Sequence, residues 1–361
     1  MSVAESRVYL RPTGFVDVPA SGALRLAGGL TWFSAVELIV VEGSRRVRQT
    51  LVPVTALSDA ADGLPPALAD QAKATLARLT APRTPFMLGT TELAFDRPEV
   101  MGILNVTPDS FSDGGSGGDP LARADAMRAA GAALIDVGGE STRPGAQLVP
   151  VEEEIARVAP VVAQLHRAGA AISVDTRKAD VMAAALDAGA GLINDVSAMT
   201  WDHGAMALVA ARGCPVVLMH HQGAPETMQQ DPRYDDVLID VYDWLAARID
   251  AAVAAGIDRS RIMIDPGIGF GKTLSHNLAL LNGLSLFHGL GCPILLGVSR
   301  KRSIAALSGG APVDQRLGGS VALAVFGIAQ GVQLLRVHDV FETVQAVRVW
   351  CGLRDEALAT V

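Results

Sequence analysis

The sequence lacks the features typical of secreted and membrane-spanning proteins. Its three cysteines, Cys214, Cys292 and Cys351, lie far apart, without a C-x-x-C pair or a mixed Cys/His cluster. This spacing disfavours both a zinc site and a disulfide framework. No signal peptide is recognisable, and apolar runs such as Leu295-Leu296 are far too short to span a bilayer. We therefore expect a protein of the reducing cytoplasm that has no membrane partner.

The sequence also has fewer basic than acidic residues. The chain has 30 Lys and Arg against 38 Asp and Glu, a formal net charge of -8, which argues against a nucleic-acid-binding protein. The basic residues that are present should then have local roles. Half of the 361 residues are hydrophobic and 19% are charged, so a sizeable core can form. The length suits one large domain and a small one.

From residue 84 onward, one pattern recurs eight times. A short apolar run ends in a polar residue and is followed by a glycine-containing loop and an amphipathic helix. Apolar runs without alternation are typical of parallel strands buried on both faces. Eight such units predict an α/β fold, a (β/α)8 TIM barrel over residues 84–361, whereas an open doubly wound sheet would not gather all eight strand ends. The runs are ILNVT at 103, LIDVGG at 134, ISVDT at 172, LINDV at 192, VVLMHH at 216, IMIDPG at 262, ILLGVSR at 294 and LLRVHD at 334.

Residues 1–83 follow a different pattern and predict a small N-terminal α+β extension. ELIVVEG and RRVRQTLVPV should be strands joined by GSRR, and LPPALADQAKATLARLT should be one helix. Arg45-Arg46 could contact an anion, although a solvated hairpin tip is favoured. FMLGTTELAFDRP at 86–98 predicts a hairpin that closes the bottom of the barrel. The residues do not indicate a function for the extension.

Every predicted barrel strand ends in polar side chains. One Asp after a strand is usually a helix cap, but eight polar ends at one mouth indicate a site. Asp175 and Asp265, with Asn194 between them in strand order, suit a planar heterocycle that presents N–H donors and ring acceptors. Metal binding by several carboxylates is the alternative, although no H-E-x-x-H motif is present.

Cationic side chains form a second group at the strand ends. Arg143 lies in GESTRPG, Lys301 in SRKR, and Arg336 and His338 in RVHD, and these groups could bind a pyrophosphate or polyphosphate. The segment DPGIGFGKT is not a nucleotide-binding phosphate loop, because Pro266 stands where its first glycine belongs. Its glycines instead let a flat ligand approach the backbone.

The order of these motifs resembles the dihydropteroate synthase family from residue 86 to about residue 350. Members have a (β/α)8 barrel and join p-aminobenzoate to 6-hydroxymethyl-7,8-dihydropterin diphosphate, with release of pyrophosphate. The resemblance implies two small-molecule substrates, Mg²⁺ as the metal and a homodimer. The motifs are MGILNVTPDSFSDGG, IDVGGESTRPGA, SVDTRKA, INDVSA, LMHHQG, IDPGIGFGKT, SRKRSI and LRVHD.

The resemblance also implies roles for individual residues, but it assigns no general base. The residues implied in catalysis are Asp175, Asp265, Lys301 and Arg336. The pterin ligands would be Asp136, Asp175, Asn194, Met219, Asp265, Phe270 and Lys301. Asn105 would bind the metal and, with Arg143, Arg336 and His338, the diphosphate. Thr142, Pro144 and Ser299 would frame p-aminobenzoate. TPDSFSDGG, which contains Phe111, would close over the site.

Two other functions fit a similar barrel. A methyltransferase that uses methyltetrahydrofolate would keep the strand-end Asp and Asn residues, but it would not need the diphosphate ligands Arg143 and Arg336. A catalytically inactive scaffold would have no reason to keep both the strand-end residues and the diphosphate ligands.

The chain departs from the family at two places. One is His221, where Met is common, and the other is the loop GGSGGDPLARAD, which is shorter than in many members.

Overall fold

The computed structural model describes residues 6–107, 119–141, 148–223 and 227–359. The N-terminal extension is an antiparallel sheet in which β1, β2 and β4 all pair with β3. Two predicted strands and one predicted helix are present as β3, β4 and α2. The elements are β1 Ser6–Val16, β2 Leu24–Arg25, β3 Trp32–Glu42, β4 Arg45–Pro53, α1 Leu57–Asp62 and α2 Pro66–Thr80.

The hairpin between β3 and β4 differs from the favoured prediction at one of its two arginines. Arg45 is exposed, but Arg46 forms an ion pair with Asp236 of the barrel. The expectation of a solvated tip is therefore wrong for Arg46. The physical reason is that β3 carries the hairpin alongside the barrel, within reach of an acidic side chain.

A short hairpin closes the bottom of the barrel, as predicted. It consists of β5 (Phe86–Leu88) and β6 (Thr91–Leu93). Phe86 meets Phe95 edge to face, with ring centroids 4.9 Å apart. Both rings belong to a buried cluster with residues from the barrel strands, including Met101 near the start of the first one. The hairpin therefore fills the lower end of the barrel.

Eight parallel strands form the barrel, which confirms the predicted fold. Neighbouring strands pair from β12 through β7 to β14 and β13, and the bridge between Ile264 and Ile294 joins β12 to β13. Their polar C-terminal residues therefore face one mouth. The strands are β7 Glu99–Asn105, β8 Leu134–Gly138, β9 Ile172–Asp175, β10 Leu192–Asp195, β11 Val216–Met219, β12 Ile262–Asp265, β13 Leu295–Leu296 and β14 Leu334–Val337.

Helices surround the barrel. The side chain of Asp119 caps the first of them by accepting from the backbone N–H of Leu121, as expected from Asp119-Pro120. None of the helices in the described ranges is long and apolar enough to cross a membrane. The helices are α3 Pro120–Ala130, α4 Val151–Arg167, α5 Ala179–Asp187, α6 Ala205–Arg212, α7 Val237–Ala254, α8 Leu274–Asn282, α9 Arg302–Leu307, α10 Leu317–Ala329 and α11 Val340–Ala359.

The sheet of the extension lies between its own helices and the barrel. Side chains alternate along β3, so that Leu38 and Val40 pack with the core of the extension while Ile39 and Val41 join the main cluster of the barrel. Tyr9 meets Tyr242 of α7 edge to face, with centroids 5.3 Å apart. The extension is thus packed against α7.

Candidate active site

A buried charge cluster lies at the ends of β8, β9 and β14. Arg336 Nε donates to Asp136 Oδ2 at 2.6 Å, and its Nη2 donates to Asp175 Oδ2, also at 2.6 Å. Asn194 Nδ2 donates to Asp136 Oδ2 at 3.2 Å. In the sequence, Arg336 groups with the other cationic strand-end residues rather than with the carboxylates. It lies between them instead, because two buried carboxylates side by side need a counter-charge.

The two carboxylates keep one oxygen each for a ligand. Asp136 Oδ1 and Asp175 Oδ1 are buried and have no hydrogen-bond partner within the described part of the chain. Buried acceptors are costly when unpaired, so these atoms are suited to N–H donors of a bound molecule. Burial, only partly offset by Arg336 and reinforced by Asp136, raises the pKa of Asp175 to about 7. Asp175 is therefore poised to change protonation near neutral pH.

Asp265 lies at the end of β12 beside the glycine-rich loop. Its Oδ1 accepts from the backbone N–H of Gly267 at 2.7 Å, and burial raises its pKa. Gly267 adopts a left-handed conformation, with φ +68°, and a Cβ there would lie 1.8 Å from the carbonyl oxygen of His220. Only glycine can make this close approach, so the loop position depends on Gly267.

Lys272 binds the backbone of this loop, a role that the sequence analysis did not predict. Its Nζ lies 2.8 Å from His220 Nδ1 and donates to the carbonyl oxygens of Gly267 at 2.9 Å and Phe270 at 3.0 Å. Burial lowers the pKa of Lys272 to about 7. The available signal was the GFGK segment itself, which we weighed only as a phosphate loop.

Lys301 and Phe270 form one wall of the site. Lys301 Nζ lies 4.3 Å from the centroid of the Phe270 ring. The turn that places Lys301 is strained, because Arg300 has φ +56°. The side chain of Arg300 forms an ion pair with Asp339. The ring face attracts the ammonium group, so the two side chains lie together at this wall.

Other predicted residues surround the same mouth. Ser299 Oγ accepts from the backbone N–H of His338 at 3.2 Å and lies 3.0 Å from His338 Nδ1. Met219 is buried at the end of β11. Asn105 ends β7, and a Cβ built on Gly138 would lie 3.5 Å from Asn105 Oδ1. Thr142, Arg143, Pro144 and Phe111 lie outside the described residues.

Two polar strand-end residues have structural partners. Asp195 accepts from the backbone and hydroxyl of Ser197 at 2.7 Å and from the backbone N–H of Met199 at 2.9 Å, so it organises a turn. His221 Nδ1 lies 3.1 Å from the carbonyl oxygen of Gly223.

Comparison with protein families agrees with this geometry. Residues 101–338 match the model of a family described as pterin binding enzyme. The chain is 49% identical to a dihydropteroate synthase of Escherichia coli (strain K12) over 263 residues, which are 72% of this chain and 93% of the relative. It is 47% identical to a dihydropteroate synthase of Neisseria meningitidis serogroup B over 274 residues, 73% of this chain and 96% of the relative.

Solved structures show the same similarity. A Xanthomonas albilineans dihydropteroate synthase with 4-aminobenzoic acid matches with a TM-score of 0.70 and 48% identity, over 75% of this chain and 98% of that one. The Burkholderia cenocepacia dihydropteroate synthase complexed with 7,8-dihydropteroate matches with a TM-score of 0.69 and 44% identity, over 76% of this chain and 98% of that one.

Proposed function

The chain belongs to the pterin-binding enzyme family, and from this we infer that it is a dihydropteroate synthase. It is thus a transferase of folate biosynthesis that joins a pterin diphosphate to p-aminobenzoate. Its carboxylate cluster supports this inference most directly, since Asp136 and Asp175 each have a buried acceptor oxygen that no group in the described residues satisfies. These oxygens match the N–H groups along the edge of a pterin.

The pterin would bind between two groups of side chains. Asp175 and Asp265 would accept hydrogen bonds from the ring, and Asn194 would supply an amide nearby. Phe270 and Lys301 would cover one face, with Met219 as an apolar contact. The relative complexed with 7,8-dihydropteroate supports binding of a pterin compound on this fold.

The diphosphate would be held by cationic side chains at the mouth, with Mg²⁺. Arg143, Arg336 and His338 would bind its oxygens, and Asn105 would bind the metal. Asn105 ends β7 and carries an amide oxygen, and oxygen is the ligand atom that Mg²⁺ prefers. Within the described ranges no group of three or more His, Cys, Asp or Glu side chains could hold a metal. When bound, Mg²⁺ would neutralise charge on the leaving group.

The chemistry depends on charge that develops as the C–O bond to diphosphate breaks. The methylene carbon is attached to an electron-rich ring, so positive charge spreads into the pterin. Asp175 and Asp265 would stabilise that charge, while the cationic side chains would stabilise the departing anion. The arylamine of p-aminobenzoate, placed by Thr142, Pro144 and Ser299, would then attack the carbon. Positioning therefore contributes more than a strong base.

One assay tests this function. The purified protein is incubated with the pterin diphosphate, p-aminobenzoate and Mg²⁺, and pyrophosphate release is followed. We expect release that requires p-aminobenzoate and that stops when Mg²⁺ is chelated. Release without p-aminobenzoate would indicate hydrolysis and would contradict the synthase function.

We further propose that the protein acts in the cytoplasm as a homodimer. The three cysteines are free, which agrees with a reducing compartment. On α11, the apolar side chains of Phe341, Val349 and Leu353 follow at intervals of eight and four residues and are 62%, 62% and 64% exposed. Such an apolar stripe is suited to a second copy of the chain.

A further inference from the structure

The N-terminal extension makes a directed ion pair with the barrel. Arg46, on β4, binds both carboxylate oxygens of Asp236, with Nε 2.5 Å from Oδ2 and Nη2 3.1 Å from Oδ1. The two side chains are only 27% and 20% exposed. A bidentate guanidinium–carboxylate contact fixes direction as well as distance. By contrast, Arg45 is exposed, and Arg48 donates to Thr50 within the same strand.

Asp236 occupies a position that links this pair to the active site. It caps the N-terminus of α7, where its Oδ1 accepts from the backbone N–H groups of Leu238 at 3.2 Å and Ile239 at 3.4 Å. The side chain of Gln222 holds the nearby residue Arg233 through both its backbone N–H and its carbonyl oxygen. The segment before α7 is therefore held at two points, at Arg233 by Gln222 and at its end by the side-chain contacts of Asp236.

That segment in turn contacts the glycine-rich loop. Tyr234 donates from its hydroxyl to the carbonyl oxygen of Gly271 at 2.8 Å, and Gln229 Nε2 donates to that of Gly269 at 2.6 Å. These carbonyls flank Phe270, whose ring lies against Lys301. The segment before α7 is thus bonded to the extension at Asp236 and to the glycine-rich loop at Tyr234 and Gln229, and its backbone connects these contacts.

We propose that Arg46 is a positioning residue for pterin binding and that this is a function of the N-terminal extension. By holding Asp236, Arg46 fixes the segment before α7, and this segment holds the loop that carries Phe270. The inference rests on the proposed function for the identity of the ligand. Because a partly exposed ion pair contributes little to global stability, its loss should affect the loop more than the fold.

Two substitutions isolate the ion pair. Arg46→Gln removes the cation, and Asp236→Asn removes the anion but keeps an equally good N-cap. Arg45→Gln on the same hairpin is the matched control. We expect the KM for pterin diphosphate to rise about fivefold in Arg46→Gln and Asp236→Asn, with kcat and the KM for p-aminobenzoate unchanged. The double variant should show no further rise, and Arg46→Lys should be intermediate.

Calorimetry with 6-hydroxymethyl-7,8-dihydropterin gives a second measurement that does not depend on turnover. Weaker pterin binding in Arg46→Gln and Asp236→Asn than in Arg45→Gln would support the inference. Unchanged pterin affinity, even with a lower melting temperature, would assign a purely structural role and overturn it. Absence of pyrophosphate release by the wild-type protein would overturn the proposed function alone, because the binding comparison would still decide the role of Arg46.

Discussion

At the scale of single residues, the cluster of Asp136, Asp175 and Arg336 links pH to ligand binding. As a carboxylate, Asp175 accepts from Arg336 and keeps Oδ1 as a further acceptor, whereas protonation would place an O–H donor on one of its oxygens. Its pKa of about 7 means that the carboxylate form gains population as the pH rises through neutrality. The cluster is therefore expected to control how activity depends on pH.

We expect kcat/KM for the pterin substrate to rise with pH and to level off above about pH 7. Asp136→Asn removes a negative charge that raises the pKa of Asp175, so the acidic limb of the profile should move to lower pH. Asp125→Asn, which changes an exposed acid of α3, is the control. Profiles of initial rate from pH 5 to 9 provide the measurement. An unmoved limb in Asp136→Asn would rule out this coupling.

Lys301 and its neighbour Arg302 provide a paired test of the cationic wall. Lys301→Ala should lower kcat/KM about a hundredfold, because an oriented charge next to the reacting ligand is lost. Arg302→Ala should have little effect, since that side chain is exposed. Steady-state pyrophosphate release measures the loss, and thermal unfolding checks that both variants are folded. Equal activity of the two variants would remove Lys301 from the site.

The strand-end residues of the site could be predicted because a barrel brings all its strand ends to one mouth. The positions of Asp136, Asp175 and Asp265 follow from that rule. Lys272 could not be assigned, since its role depends on carbonyl oxygens that meet it only after the loop folds. The pair of Arg46 and Asp236 could not be predicted either, because 190 residues separate its members and neither has a local signature.

At the scale of elements, the eight barrel strands could be predicted because they are buried on both faces and leave continuous apolar runs. In the extension, β3 and β4 could be recognised, but β1 could not. Pro12 and Gly14 interrupt β1, and both residues are disfavoured within strands. Pairing with β3 along ten residues overrides that local preference.

The glycine-rich loop after β12 permits a test with a matched control. Gly267 and Gly309 have similar left-handed backbones, with φ +68° and +66°. A Cβ on Gly309 would have no atom within 4 Å, whereas a Cβ on Gly267 would lie 1.8 Å from the carbonyl oxygen of His220. Each alanine variant should lose about 1–2 kcal/mol from backbone strain. Only Gly267→Ala should also weaken pterin binding, by about a hundredfold, since the loop must shift away from His220. Urea unfolding and pterin calorimetry separate the two effects, and equal affinities would contradict this account.

At the scale of the whole molecule, the exposed stripe on α11 predicts the oligomeric state. If the proposed homodimer forms through this stripe, Val349→Glu with Leu353→Glu should convert it to a monomer, because charges would be buried in an apolar interface. Leu51→Glu, which changes an exposed leucine of the extension, is the control. Sedimentation equilibrium measures the mass. A dimer that persists in the double variant would place the interface elsewhere.

The hairpin of β5 and β6 determines the route by which substrates and products reach and leave the site. Phe86 and Phe95 pack against the lower ends of the barrel strands, so among the described residues the lower end is filled and the strand C-termini line the mouth that leads to the site. Both substrates should therefore enter, and both products should leave, through the mouth of the barrel. The arylamine cannot enter through the lower end of the barrel. Pyrophosphate that stays bound at the mouth would therefore obstruct the next turnover.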